Sequence, residues 1–289
     1  MTRLFGFAQL DLPGTLAVAD GRYVLRDEGR ERVLVVETLG APAPSRRRRR
    51  KPRESSADEQ LAELPLTRIT LVSAFEEFED EQRARTWLDS TLADEDALDR
   101  VLGDAIGDVN RALHAQAIAS GDHQTQEIAV DRAATARIGY GNGEELANGL
   151  FTFAQLIDPA RGAASRRRAR AEELRPQQRL AAVLGGREQL DACETLLLRA
   201  RADLDANRPR EAALQLRVGL EALLIELDAA LDDAGHADDM AKLGARRDAA
   251  VKLAGSALAG DLSSEELVAL ADLLATGERV LRRRRVLGD

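Results

Sequence analysis

The stretch RYVLRDEGRERVLVVETL, residues 22–39, decides the fold class. Residues 22–26 and 32–39 are rich in β-branched and aromatic side chains, and the polar stretch DEGR lies between them. Two short runs of this composition on either side of a glycine-containing turn are typical of an antiparallel β-hairpin. The sequence therefore predicts a protein that contains a small antiparallel β-sheet.

A third strand is predicted at LTRITLVSAF, residues 66–75, and a long polar segment separates it from the hairpin. The segment begins with GAPAP at residues 40–44 and stays polar to about residue 58. Proline, glycine and charged residues in such density do not build a packed core. We therefore expect a flexible, arginine-rich loop at about residues 40–60, inserted between two paired strands.

This loop carries seven positive charges within eight consecutive residues, on Arg46, Arg47, Arg48, Arg49, Arg50, Lys51 and Arg53. The formal net charge of the chain is −9, so the rest of the chain carries −16. Dense guanidinium groups attract phosphates through their charge and through forked hydrogen bonds. The ordinary interpretation of such a run is a solvated loop without a partner. Our hypothesis is that these seven residues bind a polyanion such as nucleic acid, and a protein or a membrane surface is the remaining alternative. No aromatic residue lies among them to stack on bases, so we expect contact that is independent of base sequence.

Helical segments follow the third predicted strand. A short helix is predicted around residues 84–88, and a longer one from about residue 94 to residue 119, where apolar residues recur every three or four positions before Gly121. Another strand is predicted at residues 135–140, and a turn at residues 141–143 leads into a short helix at residues 144–147. With the hairpin, these elements predict an α+β domain over residues 1–159.

The second half of the sequence has a helical pattern. Residues 160–186 contain a second basic cluster, RRRAR at residues 166–170, together with Pro176 and two glycines, and we predict a linker or bridging helix there. Four amphipathic helices follow, at about residues 187–204, 209–231, 237–258 and 263–281. The last begins with SSEE, a capping-box signature. Short connections between them predict an up-and-down four-helix bundle over residues 187–289, suited to self-association or to a protein partner.

Composition favours helix over sheet. Hydrophobic residues make up 44% of the chain, charged residues 31% and aromatic residues 3%, and cores built from leucine, alanine and valine suit packed helices. We therefore predict a helix-dominated α+β protein. The single cysteine, Cys193, excludes an intramolecular disulfide, and no export signal or bilayer-spanning apolar stretch is evident. We expect a cytoplasmic location without membrane insertion.

Residues that could support catalysis are sparse. The three histidines, His114, His123 and His236, match no metal-ligand or catalytic spacing that we can identify. GYGNG at residues 139–143 lacks the spacing of a phosphate-binding loop and is predicted to be a turn. EEFEDE at residues 76–81 is predicted to be a solvated helix start, and Cys193 an inert thiol on an apolar helix face. We predict no cofactor and no bound metal.

These patterns favour a non-catalytic binding or bridging protein. The arginine-rich loop would contact a polyanion, and the helical bundle would associate with itself or with another protein. The competing hypothesis is a hydrolase or nuclease that acts on a phosphorylated substrate and uses one of the three histidines as its acid–base group.

Overall fold

A computed structural model of the chain describes residues 3–27, 30–40, 65–160, 176–227 and 233–287. The chain divides into two units, residues 1–163 and residues 164–289. The first combines an antiparallel sheet with helices and the second is helical, so the predicted helix-dominated α+β class is confirmed. Most of the loop predicted at about residues 40–60 lies outside the described residues. The domain boundaries at residues 159 and 186 stay predictions.

Six strands in the described part of the first unit form one sheet: β1 (Leu4–Pro13), β2 (Gly21–Asp27), β3 (Arg30–Leu39), β4 (Leu66–Phe78), β5 (Thr135–Asn142) and β6 (Phe153–Ile157). Their order across the sheet is β2-β3-β4-β1-β5-β6, and every neighbouring pair is antiparallel. The hairpin of β2 and β3 and the strand β4 match the predicted strands. The first strand in sequence therefore lies inside the sheet.

Two helices, α1 (Glu81–Ala93) and α2 (Glu95–Ser120), cover one face of this sheet. Side chains of a strand alternate between the two faces, so Ala8, Leu10 and Leu12 of β1 pack into the core beneath the helices. The helices bury leucines at intervals of three and four against them, as their sequence pattern predicts. The main helical contributors to this core are Leu88, Leu98, Leu102, Val109 and Leu113.

The helix ends follow from local sequence. The Asp80 carboxylate accepts a hydrogen bond from the Arg83 backbone N–H at the start of α1, and the Asp94 carboxylate caps α2 in the same way. Gly121 ends α2 with a φ of +68°, a left-handed conformation that glycine adopts without steric cost. The predicted end of the long helix is therefore confirmed.

One prediction for the first unit is wrong, one is wrong in part, and two strands are missing from the predicted elements. The residues of GYGNG belong to β5 up to Asn142, and the four-residue helix α3 (Gly143–Leu146) begins directly after it, so there is no separate turn. Residues 76–78 end β4 and do not start a helix, because cross-strand pairing of residues 77 and 78 with β1 extends the strand past a bulge. Only Asp80 and Glu81 of EEFEDE form the predicted helix start. The strands β1 and β6 were not predicted at all.

Gly139 allows β5 and β6 to approach each other closely. A Cβ atom at this position would lie 2.1 Å from the backbone oxygen of Phe153 on β6. No real Cβ atom tolerates such a contact, so any larger residue must push β6 away from the sheet.

The second unit contains six helices in its described part: α4 (Pro176–Leu184), α5 (Ala192–Asp205), α6 (Pro209–Glu226), α7 (Ala234–Ala245), α8 (Arg247–Ala259) and α9 (Ser264–Leu287). Its core consists mainly of leucine and alanine from α5 to α9. The single helix predicted at residues 237–258 is instead α7 and α8. Because α7 packs mainly on α9 while α8 packs mainly on α6, the chain changes direction at Arg246.

The bundle is also held by polar contacts between helices. The N-cap residue of α5, Asp191, makes no side-chain cap, and the Glu226 carboxylate at the end of α6 accepts hydrogen bonds from the backbone N–H groups of Ala192 and Cys193 instead. Arg201 of α5 forms a two-bond pair with Glu278 of α9, at 2.7 and 2.9 Å. In the described residues, we find no helix with the length and apolar character needed to cross a bilayer.

Two glycine-to-alanine substitutions with opposite expected effects on stability test this packing. We expect Gly139→Ala to lower the free energy of unfolding of the first unit by about 1–3 kcal/mol, because the added methyl group forces the strands apart. Gly107→Ala, on α2 with no atom within 4 Å of the added Cβ, should raise it by about 0.5–1 kcal/mol through helix propensity. Trp87 is the only tryptophan, so its fluorescence during urea unfolding reports the first unit. If both substitutions changed the free energy of unfolding in the same direction, the close approach of β5 and β6 at Gly139 would be contradicted.

Candidate anion-binding site

The sheet face opposite α1 and α2, here called the second face, carries a polar network. Phe7, Gln9 and Asp11 of β1 point to this face, because they alternate with the core residues of the same strand. Strand register places Arg68 of β4 and Thr135 of β5 directly opposite Asp11. The network thus follows from the order of the strands.

Asp11 is the centre of this network. Its carboxylate accepts hydrogen bonds from Arg68 Nε at 2.8 Å and Arg68 Nη2 at 3.2 Å. It also accepts from Arg137 Nη1 at 2.9 Å and from the Thr135 hydroxyl at 2.8 Å. Two guanidinium groups from different strands are therefore held beside one carboxylate, with their orientation fixed by charge-assisted hydrogen bonds.

The pKa of Asp11 reflects these contacts. Burial by itself raises the pKa of the carboxyl group, but the hydrogen bonds from Arg68, Thr135 and Arg137 and the charge on Arg68 outweigh it and lower the pKa to about 2. The hydrogen bonds to Asp11 raise the pKa of Arg68 in turn. Asp11 is consequently ionised, and Arg68 is charged, throughout the physiological pH range.

Gln9 connects this centre to the rest of the second face. Its side-chain amide nitrogen donates to the Thr70 hydroxyl at 3.0 Å, and its amide oxygen accepts from Arg137 Nη1 at 3.0 Å. Gln9 and Thr70 are buried, so both polar groups need the partners they have. Arg137 is thereby fixed from two neighbouring positions on β1.

Both arginines keep hydrogen-bond donors that the network does not use. Arg68 uses Nε and Nη2, and Arg137 uses Nη1, so Arg68 Nη1 and Arg137 Nη2 and Nε have no acceptor among the described residues. The side chains are 27% and 24% exposed. Oriented guanidinium groups with unused donors are suited to bind a phosphate or carboxylate.

Glu37 works against anion binding at this place. It is exposed on β3 directly opposite Arg68, and its charge contributes to the raised pKa of Arg68. Charges therefore alternate across four neighbouring strands, in the order Glu37, Arg68, Asp11 and Arg137. An anion that approaches Arg68 must tolerate the Glu37 carboxylate.

The predicted polyanion-binding residues join the sheet at this same end. Leu39 of β3 pairs with Leu66 of β4, so the segment 41–64 leaves and re-enters the sheet at two adjacent positions. Arg68 is two residues from Leu66, which is about 7 Å along the strand. The side chains Arg46, Arg47, Arg48, Arg49, Arg50, Lys51 and Arg53 lie outside the described residues.

The basic run at residues 282–285 lies near the C-terminal end of α9, where the helix dipole favours positive charge. Three of these arginines also form ion pairs. Arg283 contacts Asp233 at 2.9 Å, Arg284 contacts Asp191, and Arg285 contacts Glu194 at 3.3 Å. These pairs tie α9 to α5 and to the start of α7. The cluster at residues 166–170 lies outside the described residues.

The three histidines lie in different surroundings. His114 is partly exposed on α2, and His123 is exposed in the turn after it. His236 of α7 is buried, and its Nε2 donates to the Leu227 backbone oxygen at 2.9 Å. Its Nδ1 and the Oδ2 of the buried Asp239 are without hydrogen-bond partners among the described residues. Asp239 forms ion pairs with Arg279 and Arg283 at 3.2 and 3.6 Å.

Two further candidates have structural explanations. Burial, together with a hydrogen bond to Glu226 and the charge of that residue, raises the pKa of the Cys193 thiol to about 12, which keeps it protonated and unreactive. The glycines of GYGNG allow close contacts with α3 and β6. Within the described ranges, no group of three or more histidine, cysteine, aspartate or glutamate side chains could hold a metal ion.

Sequence reasoning missed Asp11, Arg68 and Arg137. The signal for β1 is present in FAQLDL, residues 7–12, where apolar residues at 8, 10 and 12 alternate with residues that include Gln9 and Asp11. The partners of Asp11 could not be predicted, because they are 57 and 126 positions away in sequence. Comparison of the chain with protein-family models, curated proteins and solved structures found no match.

Acid unfolding tests the role of Asp11. Its pKa is lower in the folded protein than in the unfolded chain, so its contribution to stability is complete above about pH 4 and declines as the pH falls towards 2. A shift of this size corresponds to about 2 kcal/mol. We expect Asp11→Asn to destabilise the first unit at neutral pH, and the difference from the wild type to shrink between pH 4 and pH 2. A difference that is constant with pH, measured by urea unfolding followed through Trp87, would contradict this assignment.

Proposed function

We propose that this protein binds a polyanion such as nucleic acid, without catalysing a reaction on it. The arginine-rich segment 46–53 supplies most of the attraction, and the Arg68 and Arg137 pair supplies a fixed contact next to it. The observation that supports the proposal is the position of this pair. It lies at the end of the sheet where the segment departs, and its guanidinium groups keep unused donors.

The charge distribution supports binding at this end of the first unit. Arginines elsewhere in the described residues commonly contact carboxylates, as Arg32 does with Asp108, Arg201 with Glu278 and Arg208 with Asp203. The chain outside the run at residues 46–53 carries a net charge of −16, which repels a polyanion. A polyanion is thus attracted where positive charge is in excess, and the run at residues 46–53 has no acidic residue within it.

The proposed contact is with the phosphate backbone and not with bases. The run contains no aromatic side chain on which a base could stack. The fixed pair offers two guanidinium groups at the surface of a sheet, where they are suited to contact phosphates. We therefore expect affinity to depend on salt concentration and to be the same for unrelated sequences.

The helical unit supplies the second half of a bridging function, through contact with another protein or a second copy of the bundle. Two aliphatic side chains seven residues apart are exposed on α6, Val218 and Ile225, and two on α8, Val251 and Leu258. Residues at this spacing lie on one side of a helix. Helices α6 and α8 also pack against each other, so the bundle presents apolar surface beyond its core.

Salt dependence tests the polyanion contact. If about five arginines each neutralise one duplex phosphate, the logarithm of affinity should fall with the logarithm of salt at a slope near −4.5, which is a roughly 500-fold loss between 50 and 200 mM. Replacing residues 46–50 with serine should remove most of that slope and leave folding unchanged. Fluorescence anisotropy with two unrelated DNA duplexes measures both effects. Equal affinity of the wild type and the serine variant at low salt would overturn the proposal for this segment.

A pair of single substitutions tests the fixed site separately. Glu37→Gln removes the carboxylate opposite Arg68 and should strengthen binding about two- to three-fold at low salt, from Coulomb's law at about 7 Å in water. Glu31→Gln changes the net charge by the same amount at the far end of the same strand, so it should have the smaller effect. If both variants change affinity equally, only the net charge matters, and Arg68 is not part of the site.

A further inference from the structure

The two edges of the six-stranded sheet differ in charge. The edge strand β2 carries Arg22 and Arg26, and charged side chains on an edge strand discourage pairing with another chain. The other edge strand, β6, reads FAQLI and carries no charge and no proline. Its backbone groups on the side away from β5 have no strand partner among the described residues. Only β6 therefore lacks the features that protect a sheet edge.

Apolar side chains are exposed on and beside β6. Leu156 is 60% exposed on the second face, and Phe153 is exposed on the face that carries α1. Leu150 and Phe151, just before the strand, are exposed as well. An uncharged edge with apolar groups on both faces is suited to pair with another strand and to bury these groups.

The sequence of β6 is complementary to itself in antiparallel pairing. When Gln155 is placed on a two-fold axis, Ala154 lies opposite Leu156 of the second copy, and Phe153 lies opposite Ile157 of the second copy. Both pairs are apolar, and each brings together residues on the same face of the sheet. No other register pairs all five residues of this strand.

Charges beside β6 favour the same arrangement. Arg85 of α1 lies over the Phe153 ring, with its Cζ 5.4 Å from the ring centre, and forms no ion pair with a described residue. Asp158 follows the other end of the strand, and its carboxylate accepts a hydrogen bond from the Ala160 backbone N–H. Antiparallel pairing brings Asp158 of one copy to the end of the interface where Arg85 of the other copy lies. Parallel pairing would place like charges at the same end.

We infer that two copies of this chain associate through β6, in antiparallel register about Gln155, so that their sheets join into one. Such a contact uses the same surface on both copies and is closed by its two-fold axis. Because β2 is charged, the joined sheet does not continue into a fibre. Arg137 of the candidate anion site lies on the neighbouring strand β5, directly opposite Leu156. The association is formed by β6 and needs no polyanion, so the two contacts are measured separately.

Two substitutions at matched positions test the inference. Leu156→Lys places a charge on the interface, and Val24→Lys places one on the opposite edge, where the native side chain is 58% exposed on the same face of the sheet. Light scattering after size-exclusion chromatography should give twice the chain mass of 31.4 kDa for the wild type and for Val24→Lys. Leu156→Lys should raise the dimer dissociation constant at least tenfold. Circular dichroism checks that both variants fold.

A cross-link tests the register. Residues directly opposite in an antiparallel pair have Cα atoms about 4.5–5.5 Å apart, which is within the range of a disulfide. Gln155→Cys should therefore form a covalent dimer on oxidation, and Val24→Cys should not. The native Cys193 is buried, so the wild type provides the background.

Three outcomes would overturn the inference. One is a monomeric wild type at every concentration from about 1 to 100 µM. Another is an equal loss of dimer in the Leu156 and Val24 variants. The third is a dimer that survives Leu156→Lys and dissociates when Val218 and Ile225 are replaced with lysine, because the helical bundle would then form the interface.

Discussion

The pairing of the Asp11 carboxylate with two guanidinium groups joins three strands that are far apart in sequence. Arg68 belongs to β4 and Arg137 to β5, and Asp11 lies between them on β1. Backbone pairing alone permits strands to slip, whereas a slip by one residue would move Asp11 into the apolar core beneath the helices. Burying an unpaired carboxylate there costs several kcal/mol. The ion pairs therefore help to fix the register on which both faces of the sheet depend.

Parts of the fold could be predicted because their signal is local. The β2–β3 hairpin and β4 are rich in β-branched residues, and α2 has apolar residues at helical spacing with a glycine at its end. The strand β6 was missed because it has five residues and three of them are exposed. The break at Arg246 was missed because neither proline nor a left-handed glycine marks it. It arises from packing partners, which a local pattern does not contain.

The candidate site, like the fold, has one part that local sequence predicts and another that depends on tertiary contacts. The charge run at residues 46–53 can be recognised from composition alone, whereas the oriented pair beside it exists only after β1, β4 and β5 have come together. The run at residues 282–285 can also be recognised from composition, but its ion pairs cannot, since carboxylates from α5 and the start of α7 neutralise three of its arginines. Which arginines a fold pairs with carboxylates is known only from the contacts.

The position of β1 also affects how the chain folds during synthesis. β1 leaves the ribosome before its neighbours β4 and β5, and the last residue of β5 that pairs with it is Asn142. At about 5–20 residues per second, β1 waits for roughly 7–25 seconds before both partners exist. Its alternating apolar face is exposed in this interval, which is the condition in which chaperones bind nascent chains. The strand that later lies inside the sheet therefore emerges well before both strands that enclose it.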